Sequence, residues 1–364
     1  MLRCRLVARM SDLKPPRYTA QCRCASGGID IHTHVVPANL PAYLGAKIPS
    51  DWPSMAPAHA CHRHVMIDQK IYRTVADKCW DVDKRRNDIQ AQNLGLQALS
   101  PMPELLSYWM DSRDAHVLSR YLNDQIGEMV AASDGHMVGL GTIPLQDLDL
   151  AIVKLTHLME QGNFAGVEVG SNVNGRAIGD PHFDPFFEAA EALGAAIFVH
   201  ALKPTGQDRL VGPKPLLQAL AYPTDVGLAA ASVICANVLV KFPRLRIAFS
   251  HGGGTLASLL PGLDQAHRVF GALSESIVES PAAQARRLFY DTLVFDDATL
   301  LHLMKLFGPT RLMIGTDYPF AFRENDPRTR IDRVCVDRSV RDLLLYRNAQ
   351  TFLGLVPSIS RSET

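Results

Sequence analysis

Short apolar runs alternate with longer stretches of helical periodicity along most of this chain. From residue 29 onward, runs near 29–33, 95–100, 137–143, 165–170, 196–200, 246–250, 288–293 and 311–316 have the length and apolarity of buried strands. Between them, apolar positions recur every 3.6 residues near 83–93, 115–132, 147–161, 183–193, 224–241, 255–270, 297–307 and 337–353. Asp147, Asp184 and Thr224 stand where N-caps belong, with Pro181, Pro185 and Pro223 at helix entrances. Gly95, Gly194 and Gly308 stand where helices stop. Eight strand–helix units in succession predict an α/β fold, a (β/α)8 TIM barrel.

One interruption breaks the rhythm. Residues 37–82 follow the first strand and contain Pro41, Pro49, Pro53 and Pro57 with Trp52, Tyr72 and Trp80. The segment is too long for an ordinary βα loop. Because it leaves the carboxyl end of strand one, it is expected to fold over the barrel mouth as a lid insertion. A small hairpin is expected over 66–75, with Asp68 and Gln69 near its turn. The expected organisation is a flexible N-terminal extension at 1–28, one barrel domain at 29–355 and a C-terminal tail at 356–364.

The first 28 residues are basic but lack the apolar core and cleavage site of a leader, and Met10 is a second candidate start. Cys22 and Cys24 have no second cysteine pair nearby and are read as part of an inert tail. Seven scattered cysteines do not make a disulfide framework in a chain of 364 residues, so a reducing cytoplasm is expected. Acidic and basic residues balance at 37 each, leaving no net field to recruit nucleic acid or an anionic membrane. No apolar stretch approaches the ~20 residues of a membrane-spanning helix.

The chemistry gathers at the strand ends. His32 and His34 lie two apart in the first strand, so both imidazoles point to one face. His200 closes the fifth strand and Asp317 closes the eighth. Together they make a candidate shell of three imidazoles and one carboxylate for a first-row metal such as zinc. His251 opens Ser-His-Gly-Gly-Gly after the sixth strand. It is read first as a general acid/base, with a fifth ligand or a structural histidine as alternatives. His59, His62 and His64 with Cys61 are read as lining the insert rather than a second metal site, and the remaining histidines as solvated.

With these residues in place the chain resembles the amidohydrolase superfamily, and within it the branch of aminocarboxymuconate-semialdehyde decarboxylase. The segments that carry the resemblance include Asp-Ile-His-Thr-His at 30–34, Cys-Trp-Asp at 79–81, Gln-Ala-Leu-Ser at 97–100 and Ser-Tyr-Trp at 107–109. Val-Gly-Leu-Gly-Thr at 138–142, Phe-Val-His at 198–200, His-Gly-Gly-Gly at 251–254 and Gly-Thr-Asp-Tyr-Pro-Phe at 315–320 continue it. The resemblance implies zinc on His32, His34, His200 and Asp317, and His251 as acid/base at a metal-bound water. It implies non-oxidative decarboxylation of an aromatic carboxylate or a ring-opened muconate-semialdehyde-type acid, by a homodimer in which one subunit completes the other's site. The alternative on the same scaffold is a metal-dependent hydrolase or hydratase acting on a ring-cleavage product.

The resemblance also implies two arginines on the substrate's carboxylates. Read without gaps, the first position is His64, with Arg63 beside it, and the second is Gly262, with Arg268 the nearest arginine downstream. Arg73 and Phe320 match the family as an insert cation and an aromatic wall beside Asp317.

Overall fold

The first apolar run forms β1 (Gly28–Val35), buried along its whole length. The insert supplies β2 (Ser54–Pro57), β3 (His62–Ile67) and β4 (Lys70–Ala76). Then come β5 (Leu94–Pro101), β6 (Met137–Gly141) and β7 (Phe164–Gly170), a small ladder of β8 (Asn172–Val173) and β9 (Arg176–Ala177), and β10 (Ala196–His200). The last strands are β11 (Arg246–Phe249), β12 (Phe289–Asp291) and β13 (Leu312–Met313). This computed structural model describes residues 27–355. Cys22, Cys24, nearly all of the expected extension and the tail at 356–364 lie outside the described residues.

Eight strands pair in the order β1-β5-β6-β7-β10-β11-β12-β13, each parallel to its neighbour. Bridges from Asp30 to Ile314 and from Thr33 to Tyr318 close the ring. Backbone bonds across this seam join Ile31 N–H to Ile314 O at 2.9 Å and Asp317 N–H to His32 O at 2.9 Å. The fold is the (β/α)8 barrel that the strand–helix alternation predicts.

One irregularity positions the site. Gln97 pairs with Asp30 and Leu99 with Thr33, so β1 carries an extra residue between those pairs. Such a bulge reverses the alternation of a strand. Ile29 and Ile31 therefore pack into the interior cluster with Leu96, Ala98, Val138, Leu140 and Phe198. Beyond the bulge, His32 and His34 also reach the interior. Phe352 of the last helix joins the same cluster, its ring 5.6 Å from that of Phe289.

Helix ends depart from the sequence expectations at several points. Asp147 caps its helix as expected, accepting from Leu150 N–H. Asp184 is instead the first residue of its helix, and Asp180 does the capping one turn earlier, on His182 N–H. Thr224 lies inside the helix Tyr222–Cys235, because a wide π-turn at Leu217–Ala221 starts the helical path sooner. That helix stops at Cys235, and Asn237, with φ 56°, separates it from Val238–Lys241. Gly95 belongs to β5, and the reversal before it falls to Asn93, with φ 53°. Gly194 is a left-handed C-cap, as expected. No helix among the described residues is long and apolar enough to cross a membrane.

The insert forms an antiparallel sheet in the order β2-β3-β4. Asp68 and Gln69 have φ of 51° and 58°, as a tight two-residue hairpin turn requires. Trp52, Val65, Val75 and Cys79 pack in one cluster with Met102, Leu105, Leu118 and Phe320. This apolar contact anchors the sheet to segments that follow β5 and β13.

The turn after β11 is set by close backbone approach. Gly254 has φ 57°, and a Cβ there would lie 1.9 Å from Pro223 O. Gly254→Ala is expected to destabilise the protein by about 3 kcal/mol or more, through backbone strain and steric conflict. A Cβ at Gly262, on the helix Leu256–Val269, meets nothing within 4 Å. Gly262→Ala is expected to be neutral or to stabilise by about 0.5–1 kcal/mol. Comparing the two variants in chemical denaturation checks both.

Candidate metal centre

His32 and His34 from β1, His200 at the last position of β10 and Asp317 just beyond β13 bring four donor atoms within 4.8 Å of one another. His32 Nε2 lies 3.2 Å from His34 Nε2. Asp317 Oδ1 lies 3.6 Å from the first and 3.0 Å from the second. Asp317 holds this position with a left-handed backbone, φ 66°, a conformation that persists where surrounding structure enforces it.

The nitrogens facing away decide the tautomers. His34 Nδ1 is 3.1 Å from Pro101 O, and His200 Nδ1 is 2.9 Å from Ala201 O. A carbonyl only accepts, so Nδ1 carries the proton in both rings and Nε2 keeps its lone pair. His32 Nδ1 donates in the same way to Asp291 Oδ2 at 2.6 Å. Three imidazole lone pairs and one carboxylate therefore face a common point. His200 Nε2 is buried without a hydrogen-bond partner, which costs about 1–3 kcal/mol unless something occupies it.

Burial pushes His34 down to about 3, His200 down to about 4, and His32 well below the usual imidazole range. All three are held neutral, the form that binds metal. Burial raises Asp317, an effect opposed by the neighbouring histidines. The donor set fits a first-row divalent ion.

His251 stands beside this group. Its ring centroid is 5.1 Å from that of His200 and 5.4 Å from that of His32. Its Nδ1 is 2.9 Å from Ser250 Oγ, and its backbone is left-handed at φ 53°. The ring lines a small cavity together with His34, Arg73, Glu104, Tyr222 and Phe320.

Arg73 enters this cavity from β4. Its guanidinium lies 4.2 Å from the centre of the Phe320 ring, which in turn stacks on His34. Among the described residues Arg73 makes no hydrogen bond or ion pair. Burial disfavours its charge, but Glu104, Tyr72 and Asp317 outweigh that and hold the group protonated.

The structure does not bring Arg63 and His64 to the cavity. Strand pairing sets Val65 opposite Arg73 and His64 opposite Thr74, so His64 lies on the other face of the hairpin. His64 Nδ1 is 2.9 Å from Thr74 Oγ1, and Arg63 donates to Asn39 Oδ1 at 3.1 Å. Arg268 is exposed and bound to Asp264 and Gln265 on its own helix. The rings of His59 and His62 lie 4.1 Å apart, with Cys61 exposed. Among the described residues, only the four-donor group has the geometry of a metal site.

Sequence reasoning missed Asp291. This fully buried carboxylate ends β12 and accepts from His32 Nδ1, from His251 N–H at 3.0 Å, from Gly252 N–H at 2.7 Å and from Leu293 N–H at 3.1 Å. The signal was available, since Asp291 closes an apolar run just as His200 and Asp317 do. Arg85 was missed too. It is fully buried and donates to His34 O, to Lys78 O at 2.8 Å and to Gln97 Oε1 at 3.2 Å, bracing β1 from behind.

The amidohydrolase family profile matches residues 29–355. This chain belongs to the amidohydrolase family. The 2-amino-3-carboxymuconate-6-semialdehyde decarboxylase of Dictyostelium discoideum is 33% identical over 91% of this chain and 92% of its own length. Solved structures share the fold. IDCase from Metarhizium anisopliae superposes with a TM-score of 0.76 at 21% identity, covering 90% of this chain and 97% of that one. A dihydroxybenzoic acid decarboxylase from Polaromonas sp., solved with manganese and 2-nitroresorcinol, superposes with a TM-score of 0.73 at 19% identity, covering 91% and 97%.

Removing one donor in His200→Ala or Asp317→Ala is expected to abolish stoichiometric metal binding. Metal content unchanged after gel filtration would mean the ligand set is wrong. Asp291→Asn keeps the shape but loses the charge that orients His32. Its expected effect is an affinity loss of roughly 10–100-fold, measured by competition with a chelator.

Proposed function

We propose that this protein is a zinc-dependent, non-oxidative decarboxylase of an aromatic carboxylate or a ring-opened muconate-semialdehyde-type acid. The observation that carries this reading is the unpaired Arg73 guanidinium beside Phe320, in one cavity with the four-donor group and His251. A guanidinium fork suits a carboxylate, and Phe320 offers an apolar wall for an unsaturated substrate. The name of the Dictyostelium relative supports the reaction class. Three imidazoles and a carboxylate support zinc, although the Polaromonas structure holds manganese.

A divalent metal on His32, His34, His200 and Asp317 would supply Lewis-acid stabilisation of developing negative charge. The chain's own residues do the rest. Arg73 grips a carboxylate, and Phe320 borders the unsaturated system. His251 is kept neutral at rest by burial and by the imidazoles of His200 and His32. It takes up a proton only transiently, from water or a substrate hydroxyl, and as a strongly acidic imidazolium gives it to the carbon that loses its carboxyl group. The C–C bond breaks, carbon dioxide leaves, and the electron pair left behind forms the new C–H bond.

The same reading makes residues 37–82 a lid that contributes Arg73. It includes a cytoplasmic homodimer. Exposed Leu259, Val269 and Phe270, on and just after the helix Leu256–Val269, support the dimer, and unpaired Cys61, Cys79, Cys235 and Cys335 support a reducing compartment.

Zinc-loaded protein is expected to release carbon dioxide from 2,6-dihydroxybenzoate or from enzymatically generated 2-amino-3-carboxymuconate-6-semialdehyde. Consumption of water with the carboxylate retained would show a hydrolase or hydratase instead. His251→Ala is expected to keep its metal and lose about 10²–10⁴-fold in turnover. Metal loss in that variant would recast His251 as a ligand. Arg73→Met is expected to raise KM more than it lowers kcat, and steady-state kinetics would separate the two.

A further inference from the structure

The cavity holds a carboxylate that is only half used. Glu104 follows β5 on a single helical turn, Pro103–Leu106, and lines the cavity with Arg73, Tyr222 and His200. Tyr222 Oη donates to Glu104 Oε1 at 2.8 Å, and Tyr72 Oη donates to the same oxygen. Burial and the nearby carboxylate push both phenols well above the usual tyrosine range, so both stay protonated as donors. The other oxygen, Oε2, is buried and has no hydrogen-bond partner. Buried carboxylate oxygens are ordinarily paired, because leaving one bare forfeits its solvation.

The three residues come from separate parts of the fold. Tyr72 is on β4, Glu104 follows β5, and Tyr222 begins the helix after the π-turn. Their bonds fix one oxygen and leave the other free. Arg73, next to Tyr72 in sequence, is likewise unpaired and forms no ion pair with Glu104. A cation and an anion that share a cavity without contact suit a ligand with an acceptor at one end and a donor at the other. Asp317 of the four-donor group also lines the cavity, and Gln218 and Phe322 add no charge.

We propose that Glu104 Oε2 is a substrate-binding acceptor that selects acids carrying an amino or hydroxyl group besides the carboxylate. Tyr72 and Tyr222 are its positioning residues. The proposal rests on the reading that Arg73 takes the substrate's carboxylate. Hydroxyl and amine share one chemistry here, an N–H or O–H donated to a carboxylate oxygen.

The test measures binding of simple acids to the zinc-loaded, full-length protein by calorimetry. The probes are benzoate and its 2- and 3-hydroxy and 2- and 3-amino derivatives. At least one derivative is expected to bind roughly 10–100-fold tighter than benzoate, the range for a hydrogen bond to a charged group. Whether the amino or the hydroxyl series gains identifies the donor. In Glu104→Val the preference is expected to fall below about threefold, and Glu104→Gln, which keeps the shape, should also lose most of it. Tyr222→Phe is expected to weaken the preference without removing it. Zinc content and melting temperature verify that each variant is folded.

If Glu104 merely balances the charge of Arg73, its loss would shift all five acids alike and leave the preference unchanged, which overturns the proposal. A wild-type protein that does not distinguish the derivatives from benzoate also overturns it. Carbon dioxide release with an unchanged preference in Glu104→Val sinks the subsite and spares the decarboxylase reading. A lost preference without carbon dioxide release does the reverse. Failure of every acid to bind removes both.

Discussion

Asp291 accepts hydrogen bonds from one imidazole, His32, and from the backbone N–H groups of His251, Gly252 and Leu293. Its carboxyl is wholly buried, and burial raises its pKa against the pull of His251 and the three backbone donors. A charge so placed is tolerated only when nearly every lone pair is used. The same bonds have consequences on two strands. On β1 they set the tautomer of His32 and so turn its Nε2 toward His34 and Asp317. After β11 they hold the left-handed turn that carries His251. One candidate metal donor, His32, and the candidate acid/base are thus positioned from a single point, and neither can move far without unpairing a buried carboxylate.

The seam between β1 and β13 is the second requirement. Asp317 comes from the far end of the chain, and its N–H bonds to His32 O. Behind it, Thr316 Oγ1 donates to Asp30 Oδ2 at 2.6 Å. Asp30 also accepts from His32 N–H, and burial pushes its carboxyl up to about 7. Barrel closure and ligand convergence are therefore one event. Until β13 reaches β1, Asp317 is absent and the imidazoles face each other without a carboxylate.

Much of this was legible in the sequence because it is local. Apolar run length marks the eight barrel strands, and strand ends mark His32, His34, His200 and Asp317. What escaped depends on contacts between distant residues. His32 and Asp291 are 259 positions apart, and nothing near Asp291 announces that its partner is an imidazole. The bulge in β1 is invisible in a pattern of alternation, yet it is why both isoleucines and both histidines face inward. Counting without gaps led to His64 and Arg63, whereas the hairpin's pairing turns His64 away and Arg63, on the same face as Arg73, is taken up by Asn39. Thr224 looked like a cap because a π-turn leaves no simple mark in apolar spacing.

The division of labour between elements follows from this construction. The donors His32, His34 and His200 sit on barrel strands whose register is set by parallel pairing, with the bulge in β1 built into it. Arg73, Tyr72, Glu104 and Tyr222 sit on the insert, on a short turn and at the mouth of a helix, where changes in length disturb no barrel pairing. The two sets still meet at Phe320. Its ring lies between Arg73 and His34, it packs in the insert's cluster with Val65 and Trp52, and its N–H bonds to Asp317 O at 3.0 Å. Displacing the insert would therefore disturb a residue bonded to a candidate metal ligand. A change in the cavity's polar groups, Glu104 among them, carries no such penalty, which on the proposed function makes this wall the place where substrate preference can vary while the four-donor group stays the same.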